Sequence, residues 1–427
     1  MVINKLFYFL TIFLFLFNKE IQSSQILDFE TEVFIDELIN EIKVINSFDK
    51  KIKFKIVSEN SINAFVDENN IIYITSGLIE NCDDYIALLS VIAHEVGHVY
   101  YNHINKRILN NNKSKNINAI TNLSMIASSM LFNNPELIKG IAISSGNLLE
   151  KNISFSKDQE KEADYYSLQT LKKMNLFSDS IVNLLLKIEK QSSERGLTKE
   201  QQKYSTHPYF EERINIINYL NENKGQRIDH DLDIKFKFIK AKFIGYKGDV
   251  MLINNLNNQY NLYANSILNA KKGNLKNSLI DLNNLISTYQ NNFYLIETKA
   301  DILFSFGYLE EAIKFYKKVL KKYPNNYYAQ IRVFENTNFD QLTIIENENL
   351  FLENLNLLNK FYNNRNLLQI YLKLSKYTNK VEWEEFLYYW LNKQNNKIAI
   401  KKELENFIIT SDKELFDLVQ LIYKNYQ

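Results

Sequence analysis

Residues 94–98 read His-Glu-Val-Gly-His. An α-helix advances by about 100° per residue, so His94 and His98 fall one turn apart on one face. Two imidazoles at that spacing reach a single metal ion, and Glu95 then stands beside the water that such an ion activates. Zinc with two histidine ligands and an adjacent carboxylate base is the working core of a metallopeptidase. The chain holds only five histidines in 427 residues, so two of them flanking a glutamate at helical spacing are poorly explained by composition.

Two histidines do not complete a catalytic zinc site, which takes a third protein ligand. A metzincin would have Gly at position 101 and His at 104; this chain has Tyr101 and Ile104, so that class is excluded. His103 follows His98 by five residues, which on a continuing helix points it to another face, and it is read as structural, near the helix end. The third ligand is therefore sought among carboxylates, in the acidic run at 156–164. Glu160 and Asp164 are spaced i, i+4 and share a helix face. Glu160 is placed on zinc and Asp164 on the far nitrogen of a ligating imidazole. Glu162, two residues from Asp164, is the rival ligand and faces away. Alone, such a run reads as a solvated charged helix; the ligand demand of the two histidines changes that reading.

The elements that must position these groups can be traced by periodicity. An amphipathic helix is expected over 28–48, with Phe29, Val33, Leu38, Ile39, Ile42 and Ile45 near one face. Residues 53–57 alternate as a strand, and 63–66 with 71–75 form a hairpin across Asp67-Glu68-Asn69-Asn70. The strand Ile71, Ile72, Tyr73, Ile74 and Thr75 is expected to be exposed, so that an extended substrate could add to it by main-chain hydrogen bonds. The helix carrying the two histidines spans 84–103, with Ile86, Leu89, Ile92, Val96 and Val99 at helical spacing. Further helices are expected from Ser156, over 178–191, and from near Glu211. A loop with Ser205-Thr206-His207-Pro208 comes before the last of these.

Charge and composition narrow the function classes. Lysine plus arginine number 51 against 50 acidic residues, which gives no electrostatic case for nucleic acid as a partner. Only 10 glycines and 3 prolines occur, which favours a mainly helical chain. The single cysteine, Cys82, precludes an intrachain disulfide. Residues 6–17 are almost wholly apolar behind Lys5, and small residues follow at Ser23 and Ser24. Residues 1–24 read as a signal peptide, with an uncleaved anchor as the alternative. The segment 117–149 is interrupted by Asn133-Asn134-Pro135 and by charged residues, so it offers no clean apolar span of about 20 residues; membrane contact is at most peripheral.

The chain changes character after about residue 230. Gly273-Asn274-Leu275 leads to Ser278, Leu282 and Leu285, and Gly307-Tyr308-Leu309 leads to Ala312, Tyr316 and Val319, then Pro324. The two glycines lie 34 residues apart, and the pattern resembles tetratricopeptide repeats, with ordinary helical hairpins as the alternative. The expected organisation is a peptidase domain over 25–230 and a helical repeat domain over 231–427.

Taken together, Asn63-Ala-Phe-Val, the run from Ile71 to Ile79, His94-Glu-Val-Gly-His98, Glu160-Lys-Glu-Ala-Asp164, and Thr206-His207-Pro208 followed by Arg213 resemble the M48 family of zinc metallopeptidases. With the signal segment and repeats, the likeness is to the BepA-like periplasmic type. The resemblance implies a gluzincin-type fold, mainly α with a small β-sheet, with His94, His98 and Glu160 on one zinc ion. It also implies that His207 can take the remaining zinc position and hold the enzyme off; a packing or capping histidine is the other reading. Arg213 is read either as stabilising the oxyanion of the tetrahedral intermediate or as a surface ion pair with Glu211 or Glu212. The family often has a Gly-rich turn where Glu68-Asn69-Asn70 stands here. The implied substrates are unfolded or misassembled envelope proteins, with the outer-membrane assembly machinery as a partner through the repeats. A chaperone or assembly adaptor that acts mainly by binding is the competing function.

Overall fold

The computed structural model describes residues 25–67, 69–104, 157–176, 179–194, 213–215, 217, 229–361 and 364–393, with isolated helical positions at 405, 416, 419 and 420. Residues 1–24, the segment 117–149 and His207 lie outside the described residues. The chain divides into two compact units, Met1–Leu268 and Asn269–Gln427. Among the described residues no helix is long and apolar enough to cross a membrane.

The first unit is mainly helical around a four-stranded sheet of order β1-β2-β4-β3. Its elements are β1 (Gln25–Ile26), α1 (Phe29–Ile45), β2 (Lys53–Val57), β3 (Ala64–Val66), β4 (Ile71–Thr75), α2 (Ser76–Asn81), α3 (Tyr85–Tyr100), α4 (Lys157–Lys173), α5 (Ser180–Glu194), α6 (His230–Lys247), α7 (Val250–Asn254) and α8 (Asn258–Lys271). The expected hairpin is present: β3 and β4 pair antiparallel, Phe65 opposite Tyr73, and the two rings stack at 4.9 Å. Its turn needs no glycine. Asp67 Oδ1 accepts the N–H groups of Asn69 and Ile71, both at 2.9 Å, and Asn70 takes the left-handed conformation with φ 58°.

The exposed-strand expectation is overturned. Ile71–Thr75 pairs parallel with β2 on one side and antiparallel with β3 on the other. Both of its edges are engaged in the ladder, and a strand inside a sheet has no row of main-chain groups to offer a peptide. The reason is β2: it turns the hairpin into part of a mixed sheet, and no periodicity within 71–75 encodes that neighbour.

Helix α1 also sits slightly rotated from its expected face. Phe34, Ile35, Leu38, Ile39 and Ile42 are buried, whereas Val33 is 41% exposed. Its N-terminus is capped by Asp28, whose carboxylate accepts the Thr31 N–H at 3.0 Å. The same carboxylate receives Lys242 Nζ from α6 at 2.7 Å, and Glu30 receives it at 2.6 Å. Leu232, Phe236, Ile239 and Phe243 carry α6 into the same hydrophobic core as α1 and α3. Packing therefore extends the first unit beyond residue 230, to Leu268.

Helix α3 is more than amphipathic. Beside the expected Ile86, Leu89, Ile92, Val96 and Val99, the residues Tyr85, Ala87, Leu88 and Ala93 are also buried. A helix that is apolar on nearly every face must lie at the centre of its domain. Asp84 fixes its start: Oδ1 accepts Ala87 N–H at 2.9 Å and the Ser180 hydroxyl of α5 at 2.7 Å. Helix α4 lies against α3, and Gly97 is the point of closest approach. A Cβ there would come within 3.1 Å of both Ala163 Cα and Tyr166 Cβ. Ser167 Oγ adds a hydrogen bond of 2.7 Å to the Ser90 carbonyl.

The second unit comprises α9 (Leu275–Thr288), α10 (Phe293–Ser305), α11 (Leu309–Lys322), α12 (Tyr327–Glu335), α13 (Ile344–Glu353), α14 (Leu355–Lys360), α15 (Arg365–Ser375) and α16 (Val381–Lys393), with a short 3₁₀ turn at Phe339–Gln341. The turns at Gly273 and Gly307 are built alike. Each glycine has positive φ (80° and 85°), a conformation that favours glycine. Asn274 N–H reaches the Asn269 carbonyl at 2.8 Å, and Tyr308 N–H reaches that of Leu303 at 3.0 Å, the six-to-one bond of a Schellman end. Ser278, Leu282 and Leu285 are buried, as are Ala312, Tyr316 and Val319.

Two outcomes follow from this packing. Lys242→Ala leaves Asp28 and Glu30 buried without their cation, and removing one partner of a buried pair costs about 3–5 kcal/mol. In the wild type Lys242 and hydrogen bonds hold Asp28 below its ordinary carboxylate range against the opposing pull of burial. The Asp28 contribution is thus present above that range and fades as pH falls through its lowered value. Burial pushes Glu30 up even in the wild type, so in the variant the orphaned carboxylates take up protons readily and the deficit shrinks on acidification. Urea unfolding of both proteins at neutral and acidic pH checks this. Gly97→Ala forces α3 and α4 apart by a few tenths of an ångström, an overpacking cost of about 1–3 kcal/mol, which the same unfolding measurement reads.

Candidate metal centre

His94 and His98 stand one turn apart on α3, and α4 brings Glu160 against both. His94 Nε2 lies 3.1 Å from His98 Nε2. Glu160 Oε2 is 3.5 Å from the first of these nitrogens and Glu160 Oε1 is 3.5 Å from the second. One ligand atom from each of the three residues falls within 4.8 Å of the others. All three side chains are buried, as are Glu95 and Asp164. Among the described residues this is the one cluster of metal-ligand type.

The donor set fits zinc on chemical grounds. Asp164 Oδ1 is 2.8 Å from His94 Nδ1. An ionised carboxylate only accepts, so Nδ1 carries the proton and Nε2 presents a lone pair inward. Two such nitrogens and a carboxylate converging on one point form a three-ligand set typical of catalytic zinc.

Arg213 lies beside the three-residue cluster, not on the surface. Its side chain is only 11% exposed, so it is no surface ion pair, and Glu211 and Glu212 lie outside the described residues. Nε donates to Asp164 Oδ2 at 2.9 Å and Nη2 to Asp164 Oδ1 at 2.8 Å. Nη2 also lies 3.3 Å from His94 Nδ1, and Nη1 is 3.9 Å from Glu160 Oε2. The guanidinium thus grips Asp164 behind His94, and two of its three nitrogens are engaged there. Burial alone would push the Asp164 carboxyl up, but Arg213 and His94 together hold it below the ordinary carboxylate range.

His103 is a buried residue near the helix end and outside the three-ligand cluster, as expected, but it faces His98 instead of another helix face. The helix ends at Tyr100 with Tyr101 as its C-cap, and Asn102 adopts φ 58°. That left-handed step turns the chain back on itself. His103 Nδ1 then lies 2.9 Å from His98 Nδ1, and His103 Nε2 lies 2.7 Å from Glu162 Oε2. Glu162, the rival ligand, meets His103 rather than the three-ligand cluster. The one sequence signal for this turn was Asn102, a residue that tolerates the left-handed region better than most. Ile71, Ile72, Tyr73, Ile74 and Thr75 lie in the sheet interior as described above.

The sequence is similar to those of known proteins. The chain is 27% identical over 208 residues to the beta-barrel assembly-enhancing protease of Yersinia pestis, covering 48% of this chain and 41% of that protein. The protease of the same name in Escherichia coli K12 is 26% identical over 204 residues, 47% of this chain and 40% of its own. Metalloprotease LoiP of Escherichia coli K12 is 28% identical over 169 residues, 39% of this chain and 61% of its own. The chain therefore spans about two fifths of the length of the two assembly-enhancing proteases. Residues 31–221, a little under half of the chain, are similar to peptidase family M48, and that span includes His94, Glu95, His98, Glu160, Asp164 and Arg213.

Proposed function

We propose that the protein is a zinc-dependent endopeptidase acting on misfolded or misassembled envelope proteins. The observation that carries this reading is the convergence of His94 Nε2, His98 Nε2 and the Glu160 carboxylate, with Glu95 on the same helical turn. A zinc ion held by these three residues would lower the pKa of a water and polarise the scissile carbonyl. Glu95 takes the proton of the attacking water and later delivers it to the leaving amine. Asp164 keeps the His94 tautomer fixed, and Arg213 keeps Asp164 ionised and in place. His207 would act as a fourth ligand that shuts the site by displacing the water.

Substrate and location rest on analogy. The relatives' name ties them to the assembly of β-barrels, and the apolar stretch at 6–17 reads as an export signal. On these grounds we assign the protein to the periplasm and to quality control of outer-membrane proteins. The matching turns at Gly273 and Gly307 favour a tetratricopeptide-type array in the second unit, which would hold substrates or the assembly machinery.

Glu95→Gln removes the base and keeps the three ligands. Cleavage of an unfolded protein substrate is expected to fall by more than about 100-fold, while zinc content by metal analysis stays at one per chain. Undiminished cleavage by the purified variant would sink the mechanism. If instead the variant restored every phenotype of a deletion strain, binding rather than hydrolysis would be the main function.

A further inference from the structure

We infer that His103 is a positioning residue for the zinc site: a neutral imidazole, protonated at Nε2, which accepts the Nδ1 proton of His98 and so turns the Nε2 lone pair of His98 towards the metal. The inference rests on the zinc reading above and adds to it a second relay, Glu162–His103–His98, beside the pair of Asp164 and His94.

The proton count along this relay allows one arrangement. The Nδ1 atoms of His98 and His103 are 2.9 Å apart, and a hydrogen bond between them holds one proton. If His98 binds metal through Nε2, its own Nδ1 must carry that proton, because a neutral imidazole has one N–H. His103 Nδ1 is then the acceptor, and the proton of His103 sits on Nε2. Glu162 Oε2 lies 2.7 Å from that nitrogen and accepts it. Each bond thus sets the tautomer of the next ring, ending at the nitrogen that faces Glu160.

Packing holds the relay in place. His103 is fully buried, whereas Glu162 is 51% exposed at its side chain. The Tyr101 ring stacks on His103 with centroids 5.6 Å apart and planes 16° from parallel. Gln159 Nε2, from the first turn of α4, donates to the His103 carbonyl at 3.4 Å. Helix α4 therefore serves the centre twice: Glu160 and Asp164 on one face, Gln159 and Glu162 on the flank that meets His103. The two ligating histidines are held unequally. His94 faces the buried carboxylate of Asp164 directly, and His98 faces the half-exposed carboxylate of Glu162 through a neutral ring, so His94 is the more strongly polarised ligand.

The test uses the full-length protein and zinc alone. Chelator competition gives the zinc affinity of wild type, His103→Leu and His103→Asn, and ¹⁵N spectra of the imidazoles in zinc-loaded wild type give the tautomers. Loss of such a ligand-supporting group weakens metal binding by about 10–100-fold, expected here for His103→Leu. Asn places an acceptor oxygen near the lost Nδ1 and is expected to recover most of that affinity. The spectra should show His98 protonated at Nδ1 and His103 neutral and protonated at Nε2. Wild-type affinity in His103→Leu, or a His103 found as the Nδ1–H tautomer or as imidazolium, would overturn the inference and leave the zinc reading standing. A wild type that binds no zinc would overturn both. The wild-type spectra decide the matter even if His103→Leu does not fold.

Discussion

Helices α3 and α4 approach each other at Gly97, where a Cβ would already touch Ala163 and Tyr166. That approach sets the distance between the two histidines and everything α4 contributes. Glu160 precedes Ala163 by three residues and Asp164 follows it by one, so both carboxylates flank the contact point. Any side chain at 97 would move them away from the imidazoles. The glycine inside the histidine motif is therefore a packing requirement of the candidate metal site. It works because α3 is immobilised on its other faces by an apolar core of Ile86, Leu89, Ile92 and Val96.

The same burial creates an electrostatic problem. Glu95, Glu160 and Asp164 are all buried beside two imidazoles, and an isolated buried carboxylate is costly. Arg213 answers part of it by binding Asp164 with two nitrogens and approaching Glu160. A metal cation among His94, His98 and Glu160 would answer the rest. In such a site, folding, metal binding and ligand ionisation are coupled. A comparable solution recurs where α6 meets α1, with Lys242 between Asp28 and Glu30. There the buried charge ties elements more than 200 residues apart in sequence.

The second unit is built on a different principle. Its order comes from helices joined by short turns, with Gly273 and Gly307 ending one helix and Ser278 or Ala312 allowing the next to pack. Charged and polar groups join this packing: Asp301 accepts the Tyr316 and Tyr328 hydroxyls, and Arg332 lies over the Phe304 ring. Such local architecture leaves its signature in sequence spacing, and the two glycine turns 34 residues apart were readable for that reason.

The sequence by itself determined the chemistry that depends on local periodicity. His94 with His98, and Glu160 with Asp164, are pairs at i, i+4, and a helix places such pairs on one face whatever surrounds it. Their helices, the β3–β4 hairpin and the mainly helical character follow from patterns of a few residues. Tertiary structure decided what lies across space. Strand β4 is interior because β2, nearer the N-terminus, pairs with its other edge. Arg213 meets Asp164 because the fold brings a residue 49 positions away into the same pocket. His103 returns to His98 because one left-handed residue, Asn102, ends the helical phase on which the sequence reading relied. Local spacing encodes side-chain direction within an element, whereas neighbours between elements are set by how the core closes.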